Sequence, residues 1–127
     1  MNMMLEVVIV PVSDVGRAKD FYEGKLGFNV DIDVKPSEAV RLVQLTPPGS
    51  SCSIQIGEGI TKMEPGSIKG VILVVDSAEA TKKELEAKGV ELGGIEELPW
   101  GKHISFSDPD GNSWILQESY ARNKQKT

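Results

Sequence analysis

The stretch VVIVPVSDVGRAKDFYEGKLGF, Val7 to Phe28, decides how this chain is read, because VILVVDSAEATKKELEAKGV, Val71 to Val90, repeats its pattern. Each copy is an apolar β-branched run, then a small or acidic pair, then a helical stretch closed by glycine. Thirteen residues lead from Asp14 to Gly27 and thirteen from Asp76 to Gly89, and the two copies are offset by 62 residues, close to half of the 127. A repeat of this period means that each half is one supersecondary unit that needs a neighbour to bury its apolar face. The surface between paired units is a natural place for a ligand pocket.

Working outward, Leu5 to Val12 reads as a strand buried on both faces. Ser13 or Asp14 caps a helix carrying Val15, Ala18, Tyr22 and Leu26 at helical spacing, and Gly27 stops it with Phe28 packed back on the last turn. Strands are expected over 29–33, 39–46 and 51–56, with Pro47-Pro48-Gly49-Ser50 turning between the last two. The second half follows the same order. After a Gly/Pro-rich linker come a strand over 68–75, a helix capped by Asp76 or Ser77 and closed by Gly89, and a weak strand over 91–97. A turn at Pro99-Trp100-Gly101 and strands over 102–107 and 113–119 complete it. Asp108-Pro109-Asp110-Gly111-Asn112 is dense in turn formers and joins those two strands as a tight hairpin. The order is β-α-β-β-β twice, residues 1–60 and 67–119, within a single α+β domain that ends in a polar tail over 120–127.

Composition narrows the function. At 127 residues and 39% hydrophobic content the chain suits one domain with a sizeable core. A net charge of −5, a pI of about 4.9 and no dense basic block before the last residues argue against a nucleic-acid surface. No apolar run approaches the roughly 20 residues needed to span a bilayer, and MNMMLEVVIV has no basic start, so neither membrane nor signal peptide is expected. The single cysteine, Cys52, leaves no internal disulfide and fits a reducing cytoplasm. One His and one Cys cannot build a Cys/His zinc site within one chain.

The two β-α-β-β-β units, the pieces VSD-x6-FY-x3-LGF and the late DPDGN turn together resemble the vicinal oxygen chelate superfamily, the glyoxalase, bleomycin-resistance and extradiol-dioxygenase fold. The resemblance runs from Glu6 to about Glu118. It implies two modules forming a curved mixed sheet cup and, in many members, a homodimer. Fold alone does not give function, since the superfamily holds several chemistries and also non-catalytic binders. In its metal-using members the first ligand is a His seven residues before the first-unit Asp, which here is Val7. The second-unit His lies six before its Asp, here Gly70, and the last ligand is a Glu four residues after the DPDG glycine, here Ile115. A further ligand comes from the fourth strand, at Ser53 or Gln55, a register the sequence leaves open. Val, Gly and Ile have no donor side chain with which to replace a metal's hydration, so the expectation is no metal and no cofactor. The alternative is a displaced site for a divalent ion such as Zn, Ni, Mn or Fe, built from His103 with Glu118 or Glu58.

If the old ligand positions face inward, strand alternation turns Val7, Ile9, Ser53, Gln55, Gly70, Ile72, Val74, Ile115 and Gln117 inward. That lining suits an apolar or planar ligand with a few orienting hydrogen bonds; the plainer reading is a closed core. His103, the only imidazole, is the candidate general acid or base, or else a solvated histidine at a strand start. Trp100 could close over a ligand by stacking or anchor its own loop. Arg41 could meet a ligand carboxylate or stay solvated, and Gln44 could be a pocket amide or an outward strand residue. Trp114 has the opposite parity from Ile115 and belongs under a helix. Phe21 and Tyr22 read as core or interface, and Cys52 as a buried inert thiol. Two apparent motifs fall away. A calcium loop starting at Asp108 would need Glu where Ser119 stands, and Gly57-Glu58-Gly59 lacks the Lys-Ser/Thr of a phosphate loop.

The resulting expectation is a cytoplasmic, homodimeric, metal-independent protein that sequesters an apolar or aromatic small molecule, an antibiotic among the candidates, and leans away from being an enzyme. The rivals are a lyase, isomerase or dioxygenase with a displaced metal, and an interaction module whose cup is filled by its own side chains or a partner.

Overall fold

The computed structural model describes residues 1–120; the tail expected beyond Tyr120 lies outside the described residues. The chain divides into two units, Met1–Ile68 with Pro109–Asn112, and Lys69–Asp108 with Ser113–Thr127.

In the first unit, β1 (Val7–Ile9) leads through Asp14 into α1 (Val15–Lys19), which continues as a π-helical segment over Asp20–Lys25. The Asp14 carboxylate accepts the Arg17 amide at 3.0 Å, satisfying a donor that the first helical turn leaves unpaired. From Asp20 the ladder opens, and Leu26 N–H reaches back five residues to the Phe21 carbonyl at 3.0 Å. The wider turn sets the consecutive Phe21 and Tyr22 both inside, edge to face at 5.2 Å. Gly27, at φ 76°, ends the helix where a side chain would be strained, and Phe28 folds back to pack its ring 5.7 Å from Tyr22.

Then follow β2 (Asn29–Ser37), β3 (Val40–Thr46) and β4 (Ser53–Glu58), in the sheet order β1-β4-β3-β2 with β1 parallel to β4 and the other pairs antiparallel. α1 packs on β4. Val43, Leu45, Ile54 and Ile56 are buried, as are Val15, Ala18, Phe21 and Tyr22 of the helix. The expected strand over 5–12 shrinks to three half-buried residues. As the sheet edge it pairs only with β4, and Pro11 cannot extend a ladder. β2 runs longer than expected because it is the opposite edge, where Pro36 removes no ladder hydrogen bond, and two register shifts bend it.

The loop Pro109–Asn112 belongs to this unit. Fully buried Asn112 donates to the Pro11 carbonyl at 2.8 Å and accepts the Ile68 amide at 3.1 Å. Asp110 accepts from Ser13 N–H at 3.1 Å and faces Arg17 at 3.4 Å.

The second unit repeats the plan with β5 (Val71–Val74), α2 (Ala78–Ala87), β6 (Glu96–Leu98), β7 (Gly101–Ser107) and β8 (Ser113–Ser119), in the order β5-β8-β7-β6. Two four-stranded mixed sheets with one helix each are what the repeat implied. Ser77, not Asp76, caps α2 by accepting the Ala80 amide, and Glu118 accepts the Ala78 amide at 2.8 Å. α2 packs on β7 and β8, over buried Ile104, Phe106, Trp114 and Leu116, with Phe106 and Trp114 stacked at 6.3 Å. The strand expected over 91–97 is reduced to an isolated bridge from Leu92 to Phe106 and the short β6, because Gly93-Gly94 interrupts it.

Candidate functional site

Each sheet carries its helix on one face; the other face holds most of the residues singled out from the sequence. In the first unit, cross-strand registry lines up Ile9, Gln55, Gln44 and Ile32 in one row, and Val7 opposite Ser53 in the next. Gln55 Nε2 donates to Gln44 Oε1 at 3.0 Å. Ser53 Oγ lies 2.6 Å from Thr46 Oγ1, which in turn donates to Asp31. The register left open by the sequence is thereby resolved: Ser53 stands opposite Val7, and Gln55 opposite Ile9.

The second unit has the matching arrangement. Ile72 faces Ile115 and Ser105 in one row, and Val74 faces Gln117, His103 and Glu96 in the other. Ile72 and Val74 are 48% and 47% exposed, a large exposure for branched aliphatic side chains on a strand. His103 Nε2 is 2.7 Å from Gln117 Oε1. The Trp100 ring stands edge-on to the imidazole at 6.5 Å and is 56% exposed. Branched aliphatic side chains, one amide–imidazole pair and an accessible indole thus share one face.

Three expectations change. Gly70 is not the counterpart of Val7. Val10 N–H donates to the Gln55 carbonyl and Val75 N–H to the Gln117 carbonyl, both at 2.9 Å, so Ile72 is the residue that matches Val7. From those amides to the helix cap is four residues in the first unit, Val10 to Asp14, but two in the second, Val75 to Ser77, and counting back from Asp76 therefore overshoots. Arg41 stands apart from Gln44, on the helix side of β3. Its Nε and Nη2 bind the Asp33 carboxylate at 3.1 and 2.9 Å, and Lys19 of α1 binds the same group at 2.9 Å. The Arg41 guanidinium, then Lys19, hold the Asp33 carboxyl well below the usual carboxylate range, and Asp33 raises Arg41 in return. Cys52 is half-buried rather than buried, its thiol directed at the Ser53 carbonyl.

His103 is not a loose strand-start residue but the third residue of β7, half-buried and hydrogen-bonded. Ile32, Thr46 and Asp31 also belong to the first face and escaped the sequence reading, since the β2 register shift between Val30 and Ile32 breaks simple alternation.

The donor set can be tested against the metal that related folds hold. Val7 and Ser53 in one unit, Ile72 and Ile115 in the other, offer a single hydroxyl and no carboxylate or imidazole, which does not fit a divalent ion. Among the described residues no group of three His, Cys, Asp or Glu side chains is placed to hold one. Glu118 caps α2, on the side of β8 turned away from His103. No helix among the described residues is long and apolar enough to cross a membrane.

The model of the glyoxalase/bleomycin resistance protein/dioxygenase superfamily matches residues 4–116. The chain belongs to that superfamily. Among solved members, TnmS3, an antibiotic binding protein from Streptomyces sp. CB03234, is 36% identical, with 93% of this chain and 97% of that one covered at a TM-score of 0.85. A superfamily member from Sphaerobacter thermophilus is 30% identical, covering 93% and 98% at a TM-score of 0.83. The uncharacterized YetH of Bacillus subtilis is 26% identical over 120 residues, 93% of this chain and all of its own. Within the superfamily, then, this chain keeps the module plan, with Val7, Ile72 and Ile115 and the hydroxyl of Ser53 at the positions where the resemblance implies ligands.

Proposed function

We propose that this protein binds an apolar or aromatic small molecule on the helix-free sheet faces and sequesters it without metal or reaction chemistry, as a cytoplasmic homodimer. The observation that carries the reading is the second-unit face. Ile72 and Val74 stay about half exposed beside Ile115, with one polar pair and Trp100 on the same side. A pocket for a drug-sized ligand has this chemistry, a mostly apolar lining with few polar anchors. The antibiotic-binding relative supports the ligand class, and the aliphatic side chains at the ligand positions support metal independence.

The test is isothermal calorimetry and thermal shift against a panel of hydrophobic and aromatic antibiotics, with light scattering to give the oligomeric state. Saturable one-to-one binding per chain by protein stripped of metal is the expected result. A stoichiometric divalent ion in protein purified without chelator, lost in His103→Ala, would overturn the metal-free reading. No shift with any compound would favour a module whose faces are covered by protein.

A further inference from the structure

The polar pairs of the two faces differ in one chemical respect. In the first unit the polar pair is amide on amide, Gln55 on Gln44. In the second, the position opposite the glutamine holds an imidazole, His103 on Gln117. An amide oxygen only accepts hydrogen bonds, so with Gln117 Oε1 against Nε2 the neutral imidazole must carry its proton on Nε2. Nδ1 is then a bare acceptor. Among the described residues His103 makes no second hydrogen bond, and it shares its face with exposed Trp100, Ile72 and Val74. At the position opposite the glutamine the first face thus presents a donor, the Gln44 amide N–H group, and the second an acceptor, His103 Nδ1, while Gln55 keeps its amide oxygen and Gln117 its amide N–H group.

We infer that His103 is a specificity-determining residue: held by Gln117 in the Nε2–H tautomer, it accepts through Nδ1 a hydrogen bond from a hydroxyl or N–H on the edge of an aromatic ligand. This rests on the reading of the second-unit face as a ligand site. Glu96 on β6 is its cross-strand neighbour and Trp100 its ring neighbour, and Lys102 and Glu118 point to the other side of the sheet. Among the described strand residues of this face none is Lys or Arg, which suits a neutral donor on the ligand rather than an acid. The imidazole edge is thus matched to phenol- or N–H-bearing aromatic compounds and mismatched to their alkylated counterparts. A site built around a hydrogen bond discriminates against a ligand that lacks the partner, because the buried polar group is left unpaired.

The test uses β-naphthol and its methyl ether, which lacks the donor and carries one methyl group more, with protein freed of any histidine tag. His103 is the only histidine, so a long-range proton–nitrogen correlation spectrum reports its tautomer without ambiguity. The free protein is expected to show Nε2 protonated, and only the naphthol should move the Nδ1 resonance. Calorimetry is expected to give about tenfold tighter binding of the naphthol, the size of one net hydrogen bond. His103→Phe is expected to erase that preference while still binding the ether; Lys83→Ala, exposed on α2, should leave the preference intact. An Nδ1–H tautomer, equal binding of both probes, or a preference that survives His103→Phe overturns the inference and leaves the ligand face standing. Binding of neither probe overturns both.

Discussion

Gln55 and Gln117 occupy the same place in the two units. Each carbonyl accepts, at 2.9 Å, the first amide beyond its edge strand, and each side chain reaches the residue opposite it on the neighbouring strand, Gln44 or His103. The duplication therefore extends beyond the backbone to a polar pair set into an otherwise apolar face. Partner loss and pair loss should differ here. Gln44→Leu leaves the half-buried Gln55 amide with one bond fewer and is expected to cost about 1 kcal/mol. Replacing both glutamines by leucine should cost less than the sum of the single changes, because no polar group is then left behind. Urea unfolding of the two single variants and the double variant decides it.

The trio Lys19–Asp33–Arg41 makes a pH prediction. Asp33 titrates lower in the folded protein than in the unfolded chain, so its contribution is full above the unfolded carboxylate value of about 3.9. It is lost as pH falls from there toward the lower folded value. Asp33→Asn should lower stability at neutral pH by about 1 kcal/mol or less, given that the pair is only partly covered. The gap between wild type and variant should close as pH falls below about 4. Denaturant midpoints measured from pH 7 to pH 3 would show the curves converging; parallel curves would contradict the assignment.

Asn112 holds the Pro109–Asn112 loop within the first unit. It is fully buried and binds both Pro11 and Ile68. In Asn112→Ala the Ile68 amide loses its acceptor and a small void opens, so a loss of about 2–3 kcal/mol is expected. The Pro11 carbonyl keeps the Gly66 amide at 3.3 Å, which limits the damage. Amide exchange resolved by residue should show Ile68 losing protection first.

The local signals were legible in the sequence because local chemistry makes them. Asp14 and Ser77 can cap, Gly27 and Gly89 can adopt positive φ, and Asp108 to Asn112 can hardly do anything but turn. What was not legible depends on neighbours distant in sequence. That β1 and β5 are edges, so that their β-branched runs are only half covered, follows from the sheet order and not from the runs themselves. Arg41 has the same parity as buried Val43 and Leu45, yet only the partners Asp33 and Lys19 explain why a charge is held on that side. The two-residue shortening between Val75 and Ser77 hid the match of Ile72 to Val7, since the repeat was aligned on Asp14 and Asp76. His103 and Gln117 are 14 residues apart, and only the β7–β8 register makes them partners.

Gly101 is set by close approach. A Cβ there would lie 2.1 Å from the Glu118 carbonyl oxygen, a backbone atom that cannot swing aside. Gly101→Ala must part β7 from β8 at the end where Gly101 pairs with Ser119, and a cost of about 2 kcal/mol or more is expected. His103 and Gln117 belong to the same strand pair, so their 2.7 Å contact should lengthen as well. The reading is tested by comparing Gly101→Ala with Gly94→Ala, where an added Cβ meets nothing within 4 Å. Only the first should lower the melting temperature and disturb the His103 resonances.

Trp100 separates binding from folding. Its side chain is 56% exposed in the turn before β7 and packs edge-on to His103, whereas Trp114 is buried beneath α2 against Phe106. Exposed truncations of this kind change stability by about 0.5 kcal/mol or less, so Trp100→Ala should unfold at nearly the wild-type denaturant midpoint. Trp114→Ala removes a fully packed indole and should cost about 3–5 kcal/mol. If the second-unit face takes an aromatic ligand, Trp100→Ala should nonetheless weaken binding by about tenfold or more, the range expected for a desolvated aromatic anchor. The two tryptophans also divide the fluorescence cleanly. Ligand should quench the exposed indole of Trp100, and the signal that remains in Trp100→Ala, from Trp114 alone, should be indifferent to ligand. A quench that persists in Trp100→Ala would put the ligand on the helix side of the sheet, and so against the face occupied by Ile72, Val74 and His103.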